Sequence, residues 1–66
     1  MNILINDTPL VLPDNATLAD ALMAKGIKPG GIATAVNGTV IPSAKRVSHH
    51  LCEGDKVVII KAFYGG

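Results

Sequence analysis

Gly65 and Gly66 follow directly on the apolar, strand-like run Val57 to Phe63. Glycine packs nothing and raises backbone entropy, so it is a poor residue where a strand must hold its shape. A strand that runs into two glycines reads as the root of a mobile tail, residues 63–66. Neither glycine has a Cβ, so the tail can thread a channel too narrow for any other residue. It also presents an unhindered α-carboxylate, ionised at neutral pH because its pKa is about 3.3–3.7. With Gly at roughly 7% of residues, a terminal pair arises by chance in only about 0.5% of chains. The expected chemistry is insertion into another protein's active site and activation of the Gly66 carboxylate there, with Tyr64 and Gly65 threading the channel.

The other chemistry-bearing residues are weaker candidates. Cys52 lies close to His49 and His50. A reactive thiol needs an electropositive setting to lower its pKa. Beside Leu51, Cys52 reads instead as a small buried hydrophobe. Adjacent histidines do not face one site together, and Cys52 adds too few ligands at zinc spacing, so no metal site is expected. Lys45-Arg46 and Lys56 read equally as a docking patch or as a solvated face. Gly30-Gly31 lacks the rest of a phosphate loop and reads as a connection. Met23 reads as core or helix-edge filling. No Ser-His-Asp arrangement is defensible, and no catalytic residue is expected.

Positioning such a tail requires a small scaffold. The chain has 66 residues, one domain's worth, with 48% hydrophobic and 17% charged residues. One Phe, one Tyr and no Trp leave an aliphatic core. A domain this short has a thin core and no room for an internal substrate cavity, which argues against a self-sufficient enzyme. The net charge of +1 and the lack of aromatics give no footprint for nucleic acid. One cysteine forms no internal disulfide. No apolar stretch approaches the roughly 20 residues of a membrane span, and no signal-peptide pattern precedes Ile3, so the cytoplasm is the expected location.

The elements follow from local pattern. Asn2 to Asn6 and Leu10 to Leu12 read as an opening hairpin around a turn at Asp7-Thr8-Pro9. Thr17 and Asp20 make a capping-box pattern for a helix carrying Leu18, Ala21 and Leu22, with Lys25 near its end and Gly26 as its stop. Ile32 to Val36 and Thr39 to Ile41 flank Asn37-Gly38, a strong hairpin signal. Ser43 to Leu51 is helical or turn-like in character, and Glu53-Gly54-Asp55 turns into a last strand, Lys56 to Ala62. Ile3 to Ile5 and Val57 to Ile60 are apolar on both faces, which predicts two central strands, adjacent and parallel. The expected class is α+β: a β-grasp, ubiquitin-like fold with a mixed five-stranded sheet covered by one helix. Alternation predicts Val57 and Ile59 inward and Val58 and Ile60 outward. Val58, Ile60 and Phe63 are then the candidate partner-docking residues.

Four segments carry a resemblance over nearly the whole chain: MNILIN at the start, AVNGTVIP (Ala35 to Pro42), EGDKVVIIKA (Glu53 to Ala62) and the final Gly65-Gly66. In order and spacing they resemble the ThiS family, the small sulfur carriers of thiamine thiazole biosynthesis. Family tails often carry small or aliphatic residues before the diglycine, whereas Phe63-Tyr64 is bulky. The resemblance implies that Gly66 is adenylated by a ThiF-like activating enzyme. The carrier itself binds no cofactor, and the ATP is used by that partner. Gly66 is then converted to a thiocarboxylate with sulfur from a donor such as a cysteine desulfurase. Thiazole synthase would take the sulfur. Two relatives by fold stay open at this point: the small subunit of molybdopterin synthase and a ubiquitin-like protein modifier. A plain β-grasp binding module, with no tail chemistry, also remains.

Overall fold

β1 (Asn2–Ile5) and β2 (Thr8–Val11) form the opening antiparallel hairpin in the computed structural model, which describes residues 1–61. The expected end of the last strand at Ala62, and the expectations for Phe63, Tyr64, Gly65 and Gly66, lie outside the described residues. The hairpin differs from expectation in its turn. Asn6 and Asp7 occupy it, with φ of 47° and 67°, and Pro9 sits inside β2 opposite Leu4. Two positive φ values fit the twist of a two-residue hairpin loop, and Asn and Asp tolerate them. Pro9 is accommodated because β2 is an edge strand, where a missing N–H is harmless.

Helix α1 (Leu18–Ala24) begins as the sequence predicts. The Asp20 backbone N–H donates to Thr17 Oγ1 at 3.2 Å, and the Thr17 N–H donates to Asp20 Oδ2 at 2.9 Å. Each side chain thus satisfies a backbone donor that the helix leaves free. Gly26, at φ 70°, ends it in the left-handed region that glycine enters without strain. Leu18, Ala21 and Leu22 face the core. Met23 does not: it is 76% exposed, a quarter turn away from the buried stripe.

β3 (Ile32–Val36) and β4 (Thr39–Ile41) pair antiparallel across Asn37-Gly38. Asn37 does more than turn the chain. Its Oδ1 accepts the Lys56 N–H at 3.0 Å and its Nδ2 donates to Asp55 Oδ1 at 2.9 Å, which fixes the start of the last strand. A short 3-10 turn (Ser43–Lys45) follows β4. The loop after it is tied to the helix start by Leu18 N–H to His49 O at 2.9 Å. β5 (Lys56–Lys61) then enters the sheet centre, giving the order β2-β1-β5-β3-β4. It runs parallel to β1 and antiparallel to β3, as the two-sided apolar runs predict. Ile3, Ile5, Leu12, Leu18, Ala21, Val36, Ile41, Leu51 and Val57 build one aliphatic core between sheet and helix.

Arg46 corrects the reading of Lys45-Arg46 as a surface pair. It is 5% exposed. Its Nε donates to Thr34 Oγ1 at 3.1 Å, Nη1 to the Pro29 carbonyl at 3.0 Å and Nη2 to the Ile32 carbonyl at 2.9 Å. Thr34, itself buried, donates its hydroxyl to the Ile41 carbonyl at 2.9 Å. The weakly hydrated guanidinium fork suits this position, since it binds several acceptors at once. One cation therefore clamps the connection between helix and β3 to the 3-10 turn. It is removed from any docking patch. Lys45 and Lys56 remain exposed.

Candidate functional site

The parity of β5 decides which of its side chains lie on the open face of the sheet. Val57 is 1% exposed and Ile59 packs on the core, while Val58 is 45% and Ile60 61% exposed on the face away from the helix. This is the orientation that alternation predicts. Across the antiparallel ladder Val58 lies opposite Ala35 and Ile60 opposite Ala33. Those small neighbours leave the two aliphatic side chains standing proud. On the other flank Leu4 shares the outward parity, since Ile3 and Ile5 on either side of it are buried. Exposed apolar side chains gathered on one sheet face are a mark of interaction surfaces.

Asn6 anchors this arrangement, and sequence reading gave it only a place at the end of the first strand. Its backbone N–H donates to the Val57 carbonyl at 2.9 Å. Its side-chain Oδ1 accepts the Ile59 N–H at 2.8 Å and its Nδ2 donates to the Ile59 carbonyl at 3.2 Å. The side-chain amide thus continues the ladder where β1 turns away. It holds Ile59 against the core and so keeps Val58 and Ile60 facing out. An Asn before an Asp at positive φ signals a turn, but nothing local signals its pairing with a strand more than fifty residues on.

The rival sites come apart. Cys52 is exposed, against the expectation of a buried small hydrophobe. It sits in the tight turn before β5, where its backbone N–H donates to Asp55 Oδ2 at 2.8 Å, and a turn leaves its side chain outside the core. His50 Nδ1 lies 2.9 Å from the Asn15 carbonyl, and a carbonyl only accepts, so that nitrogen carries the proton. The ring thus braces the approach to α1. No group of three His, Cys, Asp or Glu among the described residues is placed to hold a metal ion. Among them, too, no helix is long and apolar enough to cross a membrane.

Five mixed strands, a single helix laid on one face and a central last strand that leads out toward the C-terminal residues define a β-grasp domain. Two solved structures have the same fold. One is the crystal structure of the thiamine biosynthesis protein ThiS from Geobacter metallireducens, with a TM-score of 0.81 and 22% identity over 100% of this chain and 99% of that one. The other is an NMR solution structure of a thiamine biosynthesis protein from Geobacter metallireducens, with a TM-score of 0.74 and 20% identity over 100% of this chain and 88% of that one. The ThiS family model matches residues 2–66, and the chain belongs to the ThiS family. No curated protein matches it.

Proposed function

We propose that this protein is a sulfur carrier of thiamine biosynthesis whose Gly66 is the acyl position. The observation that supports this most is membership of the ThiS family over a span that includes the final diglycine. The chemistry is consistent with a scaffold of this size. A free carboxylate is a poor acyl donor. Its oxygen attacks the α-phosphate of ATP in the activating partner, which releases pyrophosphate and leaves an acyl adenylate. Sulfide then displaces AMP to give the thiocarboxylate directly, whereas a persulfide donor gives an acyl disulfide. A thiol cleaves the S–S bond of that acyl disulfide, forming a disulfide with the donor and releasing the thiocarboxylate for thiazole synthase. No side chain of the carrier takes part. Its contributions are a docking face and a thin tail. In this reading Val58 and Ile60 meet the ThiF-like partner, while Tyr64 and Gly65 lead Gly66 into its active site. ATP and the sulfur donor belong to partner proteins.

The docking face has a direct test in two neighbouring substitutions. Ile60→Asp places a charge on the exposed face and is expected to cost about 1 kcal/mol or less of stability. It should slow carrier-dependent ATP–pyrophosphate exchange by the activating enzyme at least tenfold. Ile59→Asp puts an unpaired charge against the core and should unfold the domain, since a buried charge without a partner costs several kcal/mol. Normal exchange by a folded Ile60→Asp variant would remove the sheet face from the docking surface.

A further inference from the structure

Asn37 ties the β3–β4 hairpin to the start of β5. Its backbone N–H donates to the Lys56 carbonyl at 2.8 Å, and its Oδ1 accepts the Lys56 N–H at 3.0 Å. Its Nδ2 donates to Asp55 Oδ1 at 2.9 Å. The other Asp55 oxygen accepts the Cys52 N–H at 2.8 Å, so one carboxylate joins the hairpin turn to the turn before β5. Both side-chain bonds depend on the polarity of the Asn37 amide, whose oxygen accepts and whose nitrogen donates.

Asn37 is also the one asparagine that a glycine follows. That pair has a chemistry of its own. The Gly38 nitrogen, on losing its proton, attacks Asn37 Cγ. A C–N bond closes a five-membered imide, the Cγ–Nδ2 bond breaks, and the amide nitrogen takes up the proton and leaves as ammonia. Water then opens the imide at one carbonyl or the other and leaves aspartate or isoaspartate. An amide and water are consumed, a carboxylate and ammonium are formed, and nothing is oxidised or reduced. Glycine favours the attack because no side chain crowds its nitrogen. The turn is open as well, with no atom within 4 Å of where a Gly38 Cβ would stand. The folded turn opposes the reaction in one respect: Cγ must swing onto the Gly38 nitrogen, while Lys56 and Asp55 hold the side chain between them.

We propose that Asn37 is a deamidation site guarded by the fold, and that its product releases the start of β5. The aspartate product no longer donates to Asp55. Two carboxylates then face each other where a donor met an acceptor. The isoaspartate product lengthens the main chain by a carbon inside a two-residue turn, which sets the register of Val36 opposite Thr39. Either product loosens Asp55 and Lys56, from which the strand carrying Val58 and Ile60 departs. The reaction needs no partner protein and stands apart from the carrier reading.

Ageing the full chain in mildly alkaline buffer, folded and in urea, tests the guard by peptide mass spectrometry. Deamidation at Asn37 should be at least about tenfold slower in the folded chain, because it passes through the opened turn. Equal rates in the two states would overturn the guard. In urea Asn37 should outpace Asn2, Asn6 and Asn15, whose following residues bear side chains, and parity among the four would overturn the site. Asn37→Asp reproduces one product directly and should lower the Tm by about 4 °C or more. Combining Asn37→Asp with Asp55→Asn exchanges donor and acceptor, keeps an acceptor for the Cys52 and Lys56 N–H groups, and should recover most of that loss. A single variant that melts with the parent, or a double variant no more stable than the single one, would overturn the release of β5. If Asn37→Asp does not fold, recovery of the fold in the double variant supports the proposal and its absence overturns it.

Discussion

Adding one residue after Gly66 is expected to abolish activation, with exchange falling to the level seen without carrier. The extra residue moves the carboxylate by a full residue's length from the α-phosphate it must attack. Reactions of this kind depend on near-attack geometry, and a misplacement of about 1 Å can cost on the order of a hundredfold in rate. Gly65→Val should fail for a different reason. A branched side chain would collide with a channel shaped for glycine, and it would also narrow the backbone conformations open to the tail. Neither change touches the described fold, so both variants should melt with the parent. Cys52→Ala is the matching control. Its thiol is exposed in the turn before β5, remote in role from the tail, and the variant should retain full exchange and sulfur transfer. Loss of transfer in a folded Cys52→Ala variant would move the chemistry from Gly66 to that thiol.

The second large effect concerns stability. Arg46→Ala should cost about 3 kcal/mol or more. It deletes three charge-assisted hydrogen bonds and strands the acceptors on Thr34, Pro29 and Ile32 in a site that is 5% exposed. A chain of this size holds only about 3–10 kcal/mol of total stability, at 0.05–0.15 kcal/mol per residue. Each kcal/mol shifts the melting temperature of a small domain by about 4–8 °C. The Tm should therefore fall by at least about 12 °C, or the domain should be unfolded at room temperature. Arg46→Lys should not rescue it, because a single ammonium cannot span a hydroxyl and two carbonyls arranged as a fork. Thermal denaturation followed by circular dichroism reads both variants. A melt within a few degrees of the parent for Arg46→Ala would show that the clamp is not what holds the helix–β3 connection.

Much of the architecture was legible because it rests on local chemistry. Thr17 and Asp20 announced the helix start through a reciprocal cap that needs no distant partner. Asn37-Gly38 announced a turn through two residues at ease with positive φ. The inward and outward faces of Val57 to Ile60 followed from the pleat alone. The rest depended on contacts far apart in sequence. Arg46 reads as a surface cation beside Lys45 until the Pro29 and Ile32 carbonyls are brought to it. Asn6 reads as the end of a strand until β5 arrives to meet its amide. Pro9 looked like part of the turn because its tolerance inside β2 depends on that strand lying at the edge. Cys52 was assigned to the core from its type, but the Asp55 bond to its backbone belongs to a turn that leaves the side chain outside. Met23 likewise had the type of a core residue and the wrong angular position on the helix.

The central claim is that Gly66 carries sulfur as a thiocarboxylate, and the mass of the C-terminal peptide from protein isolated out of its own cells tests it most directly. The account predicts two species of that peptide, differing by the replacement of one oxygen with one sulfur. The heavier form should revert to the carboxylate when the protein is incubated with thiazole synthase and its substrates. A C-terminal peptide found only as the carboxylate under conditions of active thiamine synthesis would contradict the account. So would one found joined through Gly66 to lysines of other proteins, which would mark a modifier in place of a carrier.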